Sequence, residues 1–112
     1  MFIELVYQLR DSGASLLLTG PEATQKALEA TKIVGIPESR IFSFCDIYEE
    51  AAKPQPGGLK PWTSFWAESS EVSSWSWKRI ATKEEAQETT AIINYSSGTT
   101  GLPKVRLTFL CS

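Results

Sequence analysis

"ASLLLTGPEATQKALEATKIVGIPESRIFSF", Ala14 to Phe44, holds the clearest pattern of regular structure in the chain. It opens on a short apolar run closed by glycine, Ala14 to Gly20, the pattern of a strand covered on both faces of a parallel sheet. Pro21 suits the first turn of a helix, where a missing N–H has no intrahelical acceptor to lose. That helix is expected to bury Ala23, Ala27, Ala30 and Val34 and to stop near Gly35-Ile36-Pro37. "RIFSF", Arg40 to Phe44, then reads as a second strand. The whole is a strand, helix, strand unit of about the length that a right-handed parallel crossover needs. The expected fold class is therefore α/β, a parallel sheet with flanking helices.

Upstream, Phe2, Leu5, Val6 and Leu9 fall on one face at helical spacing, and Ser12-Gly13 supplies a stop. Downstream the pattern decays. "AAKPQPGGLKPW", Ala51 to Trp62, is broken by proline and glycine, and residues 53–74 read as a long surface loop or linker. A loop of that length within a compact domain signals missing neighbours. Thr82 and Glu85 have the spacing of a capping box that starts a short helix through about Glu88. "TAIINYSS", Thr90 to Ser97, follows as a buried strand that runs directly into a glycine-containing loop.

Charge and composition remove several function classes. Lys and Arg total 11 against 13 Asp and Glu, a formal net charge of -2, so no strong field exists to recruit nucleic acid or an anionic membrane. With no histidine in the chain, the usual catalytic triads and most metal-ligand sets are excluded. Cys45 and Cys111 lie far apart and in no CxxC spacing, which favours an unpaired interior Cys45 in a reducing compartment over a disulfide. The start "MFIELVYQLRDSG" has neither the basic leader nor the apolar length of a signal peptide, and no stretch approaches a membrane span. The expected setting is soluble and cytoplasmic. Trp62, Trp66, Trp75 and Trp77 read as packing residues rather than a stacking platform for bases, with Trp75 and Trp77 alternating as on one face of a strand. Glu84 and Glu85, adjacent on a helix, point apart and serve as helix-start charges, not as a catalytic pair.

The chemistry concentrates in "IINYSSGTTGLPK", Ile92 to Lys104. Gly98 and Gly101 allow positive φ and a close backbone approach, so successive N–H groups can turn toward one centre and form an anion nest. Ser96, Ser97, Thr99 and Thr100 add hydroxyl donors there, and Lys104 adds a full positive charge. Such a set describes a clamp for a polyphosphate, although Gly/Ser/Thr clusters also form plain hydrophilic turns. A Walker A loop is excluded by spacing. Five residues after Gly98 stands Pro103 instead of glycine, and Lys104 is followed by Val105 instead of a hydroxyl residue.

From Ile93 to Lys104 the sequence resembles, without a gap, the AMP-binding signature of the adenylate-forming superfamily. That group includes acyl- and aryl-CoA synthetases, 4-coumarate-CoA ligases, luciferases and peptide-synthetase adenylation domains. "ELVYQLRDSGASLLLT" and "GIPESRIFSF" resemble the segment that precedes the signature in 4-coumarate-CoA-ligase-like enzymes. The resemblance implies a partial AMP-binding domain over residues 1–112, an internal piece of a larger N-terminal domain. It implies an enzyme that uses ATP to activate a small-molecule carboxylate as acyl-adenylate and then transfers the acyl group to coenzyme A. Carried over to this chain, Ser96, Ser97, Thr99 and Thr100 would donate to the β- and γ-phosphates and Gly98 would give close backbone approach. Gly101 would shape the loop, and Lys104 would neutralise charge. Mg2+ would accompany the nucleotide, with no carboxylate here nameable as its ligand and no catalytic residue assignable.

Departures from the family pattern bound the expectation. Relatives continue Pro-Lys-Gly-Val toward a Thr-His pair, whereas this chain reads "PKVRLTFLCS", with Phe109 near the place of the histidine. The motifs expected for adenine, ribose and domain closure have no counterpart, so the 112 residues alone are expected to be catalytically silent. For the parent enzyme a peroxisomal setting stays open as the alternative. Two other classes stay open: a small nucleotide- or phosphate-binding module, and a non-enzymatic chain that docks through its tryptophans and open sheet edges.

Overall fold

The computed structural model describes residues 2–45, 51–96, 101 and 104–110. They divide into two compact units, Met1–Ala67 and Glu68–Ser112. Among the described residues no helix is long and apolar enough to cross a membrane.

The first unit is the α/β half. Helix α1 (Phe2–Ser12) is followed by strand β1 (Leu17–Thr19), a 3-10 turn at Pro21–Ala23 and helix α2 (Thr24–Val34). A second 3-10 turn at Glu38–Arg40 leads into β2 (Ile41–Ser43). β1 and β2 pair in parallel with Leu17 opposite Ile41 and Thr19 opposite Ser43, so the strand, helix, strand reading holds. A third strand, β3 (Lys60–Pro61), adds in parallel to the other side of β2, with Phe42 opposite Lys60. The sheet order is β1-β2-β3. Pro61 can stand in a strand only because β3 is an edge, where no ladder N–H is required on its outer side. Within residues 53–74 the chain thus carries β3, 3-10 turns at Pro56–Gly58 and Trp62–Phe65, and the short helix α3 (Ser69–Ser74), joined by irregular backbone.

α1 and α2 cover one face of this sheet. Val6 and Leu9 from α1, Ala30 from α2, and Ile36, Ile41 and Leu59 form the buried cluster, flanked by half-buried Phe2, Leu5, Leu17 and Val34. Two details differ from the sequence expectation. On α2 the residues that join Ala27 and Ala30 in burial are Thr24 and Thr31, while Ala23 and Val34 are only half-buried. The threonine hydroxyls stay satisfied indoors, because Thr31 Oγ1 donates to Ala27 O at 2.8 Å and Thr24 Oγ1 to Gly20 O at 3.2 Å. And β1 is covered on one face only: Leu17 packs on the core, whereas Leu18 is exposed.

The other face of β2 carries aromatic residues. Phe42 packs against Phe65 with tilted rings at a 4.1 Å centroid distance, and Phe44 meets Trp62, which in turn meets Trp66 edge-on. Trp62 Nε1 donates to Cys45 O at 3.0 Å, so this tryptophan is tied by its ring edge as well as its faces. Cys45 itself is half-buried with a free thiol, while Cys111 lies outside the described residues. Buried Ser43 at the end of β2 donates to Gln55 Oε1 at 2.6 Å, and Gln55 Nε2 donates on to Lys53 O. Gly57, at φ +68, brings this turn against α2; a Cβ there would lie 3.0 Å from Leu28 Cδ1 and from Thr24 Cγ2. Only glycine meets both conditions.

The second unit holds α3, helix α4 (Lys83–Glu88) and strands β4 (Thr90–Ser96) and β5 (Lys104–Phe109). α4 starts where the sequence places it. Glu85 N donates to Thr82 Oγ1 at 3.1 Å, and the Glu85 side chain returns to accept from Ala81 N at 3.1 Å. Lys78 Nζ stands 3.2 Å from the other oxygen of the same carboxylate. Together these donors hold the Glu85 carboxyl below the usual carboxylate range, the Ala81 amide most and Lys78 next. Trp75 and Trp77 do not lie in a strand; they contact each other edge-on at 5.3 Å and both are exposed.

Candidate functional site

β4 and β5 form an antiparallel pair, and their register builds the site from the backbone upward. Ser96 pairs with Lys104, Tyr95 with Val105, Asn94 with Arg106, Ile93 with Leu107 and Ile92 with Thr108. Beyond Ile92 the register slips at Ala91, and Thr90 faces Phe109. The ladder closes with Leu110 N donating to Thr89 O at 3.2 Å. β4 is the strand that the sequence predicts, but not a buried one: Ile92 is 53% exposed and Ile93 39%. β5 has no counterpart in the sequence reading. Its signal is the alternation of Val105, Leu107 and Phe109 with Lys104, Arg106 and Thr108, which is strand periodicity.

Cross-strand partners point to the same side of a sheet, so this register sorts the hairpin into two faces. Tyr95, Val105, Ile93 and Leu107 share the apolar one. Ser96, Lys104, Asn94, Arg106, Ile92 and Thr108 share the other, which is polar except at Ile92. Every residue of that polar face is exposed.

Not all of the candidate residues fall within the described structure. Ser96 ends β4 and Lys104 begins β5, directly opposite, with Ser96 Oγ donating to Lys104 O at 3.4 Å. Gly101 lies in the connection between them at φ +95, a conformation that a side chain disfavours. Ser97, Gly98, Thr99 and Thr100 lie outside the described residues. The structure therefore brings Ser96 and Lys104 together at the mouth of the connection, where both project from the polar face. Among the described residues neither Lys104 nor Arg106 makes an ion pair, and no Asp or Glu stands on that face. A groove of about 270 Å3 runs beside Glu38, Ile41, Phe42, Leu59 and Lys60.

The class these features define is an α/β chain followed by a hairpin whose connection has the composition of an anion-binding loop. Comparison with known proteins gives that class a family. The model of the AMP-binding enzyme family matches residues 3–106, which takes in α1, the parallel sheet and the hairpin through Arg106. The chain belongs to this family of adenylate-forming enzymes. It is 34% identical over 101 residues to the phenylacetyl-CoA ligase epaB of Aspergillus niger, a match covering 90% of this chain and 18% of that protein. Identity to the acyl-CoA ligase azaF of Aspergillus niger is the same, and a putative acyl-coenzyme A synthetase of Emericella nidulans is 32% identical. The chain thus spans under a fifth of the length of the curated relatives it matches. No solved structure is a significant match.

Proposed function

We propose that the β4–β5 hairpin and its connection bind the β- and γ-phosphates of ATP in an acyl- or aryl-CoA ligase. In that reaction a carboxylate oxygen bonds to the α-phosphorus, the bond from that phosphorus to the β-phosphate bridge breaks, and pyrophosphate leaves. The thiol sulfur of coenzyme A then bonds to the acyl carbon, AMP departs, and the thiol proton passes to solvent. The carboxylate is an acyl or arylacetic acid, a class suggested by what the relatives' names say of them. The observation that carries the reading is the placement of Ser96 opposite Lys104, flanking Gly101 at positive φ, within the span that matches the family.

What the chain's own residues supply is binding and orientation. Lys104 offsets phosphate charge, Ser96 offers a hydroxyl, and the connection through Ser97, Gly98, Thr99, Thr100 and Gly101 offers amides and hydroxyls to the phosphate oxygens. Mg2+ would enter with the nucleotide. Among the described residues no group of three His, Cys, Asp or Glu side chains converges to hold it, so no step is assigned to the ion. One loop does not fix the reacting atoms in attack geometry, and these 112 residues alone are expected to leave both steps uncatalysed.

Titration of the 112-residue chain with ATP, followed by amide NMR, tests the assignment. Millimolar binding that Lys104→Gln weakens about tenfold, the worth of one charge-assisted contact, is the expected result. Micromolar binding would instead favour a self-sufficient nucleotide-binding module. Binding indifferent to Lys104, or none at all, overturns the site. ATP–pyrophosphate exchange catalysed by this chain would overturn its inactivity.

A further inference from the structure

We propose that Arg106 is a second cationic contact for the polyphosphate, so that the ligand extends from the loop along the polar face of β5. The inference rests on the hairpin being the phosphate site and names a residue of that site which the signature does not include. Its basis is register. Lys104 and Arg106 are alternate residues of one strand, so both leave the same face, about 7 Å apart at two strand rises. Ser96 stands opposite Lys104 and Asn94 opposite Arg106, which places a hydroxyl and a carboxamide beside the two cations. That face holds no carboxylate to neutralise them, and among the described residues neither cation has an ion-pair partner. Two like charges so placed repel until an anion lies between them.

The chemistry of the pair fits a chain of phosphates better than a single one. Lys104 is a point charge at the mouth of the loop, and one positive charge offsets only a fraction of a triphosphate. Arg106 presents a planar fork that can hold two oxygens of one phosphate. The alternative is a solvated polar strand face, in which Arg106 contributes nothing to ligand affinity. Placed on the same side of the sheet by the same ladder as Lys104, it instead reaches the same ligand.

The test is to titrate the full chain and its Arg106→Gln, Arg106→Lys and Lys104→Gln variants with ATP and with AMP. Arg79→Gln serves as a control for loss of one charge outside the two hairpin strands. Loss of about tenfold in ATP affinity is expected for Arg106→Gln, with partial recovery in Arg106→Lys, because lysine keeps the charge but not the fork. AMP should lose far less, and Arg79→Gln should bind ATP as the unaltered chain does. Matching circular dichroism spectra establish that the hairpin persists; should Arg106→Gln unfold it, Arg106→Lys carries the comparison. If Arg106→Gln binds ATP normally while Lys104→Gln does not, the second cation is refuted and the loop assignment stands. If neither substitution weakens ATP, the loop assignment itself fails.

Discussion

Ile41 and Ile93 are the same residue in two strands of one chain, and they meet opposite fates. Ile41 is 3% exposed beneath α1 and α2, whereas Ile93 is 39% exposed on the apolar face of the β4–β5 hairpin. Both strands are fully laddered to a neighbour, so the difference does not lie in hydrogen bonding. It lies in what covers the sheet. In the first unit α1 precedes β1 and α2 follows it, both fold onto one face of the sheet, and burial comes with the crossover. In the second, the short α4 packs near the ladder's end, and Ile93, Val105 and Leu107 of the apolar face stay exposed beside half-buried Tyr95. An apolar run in a sequence reports a capacity for burial, and a separate element must realise it.

Truncating each isoleucine in turn should separate the two units most clearly. Ile41→Ala should cost about 2 to 5 kcal/mol, the range for emptying a packed site. Ile93→Ala should cost less, about 1 kcal/mol, since its side chain is already partly in solvent. Urea unfolding of the two variants measures both. Equal losses would mean that the hairpin face is covered in solution, and the contrast between the units would disappear.

Gly57 shows how closely the first unit packs. Gly57→Ala meets two obstacles at once, a φ of +68 and side-chain atoms of Leu28 and Thr24 at 3.0 Å. A loss of about 1 to 3 kcal/mol is expected from strain of this kind. Gly58 at φ +69, where a Cβ would meet nothing within 4 Å, isolates the backbone part, so Gly58→Ala should cost less. Thermal melts of the two variants compare them directly.

Much of the first unit is legible in the sequence because its signals are local. The 3.6-residue spacing of Phe2, Leu5, Val6 and Leu9 is the helix α1, and the apolar runs on either side of α2 are β1 and β2. β3 is not legible. Two residues between Leu59 and Trp62, one of them proline, carry no periodicity, and only the open edge of β2 makes them a strand. The phase of α2 differs by little from its expected one: the 3-10 turn at Pro21–Ala23 delays the helix, and two threonines that bond nearby backbone carbonyls pass as core residues. At the candidate site, composition points to Ser96, Gly101 and Lys104, whereas Arg106 needs the pairing register. A single sequence does not reveal that Asn94 faces Arg106.

The smallest expected effect concerns the cap that precedes the hairpin. Thr82→Ala removes the acceptor for Glu85 N and should weaken α4 by about 1 kcal/mol. The acid side of this cap titrates. Because the folded carboxyl of Glu85 is held below its unfolded value, its contribution is present above the unfolded pKa and is lost as pH falls through the folded one. Acidification should therefore release the Ala81 amide and the Lys78 ammonium together. The Ala81 amide proton, followed by NMR from neutral pH downward, should shift with a midpoint below that of an ordinary glutamate, and Glu85→Gln should abolish the inflection. Since the group is solvent-exposed, salt should move the midpoint upward by screening Lys78 while the Ala81 hydrogen bond persists. A midpoint indifferent to salt would assign the shift to the backbone amide alone.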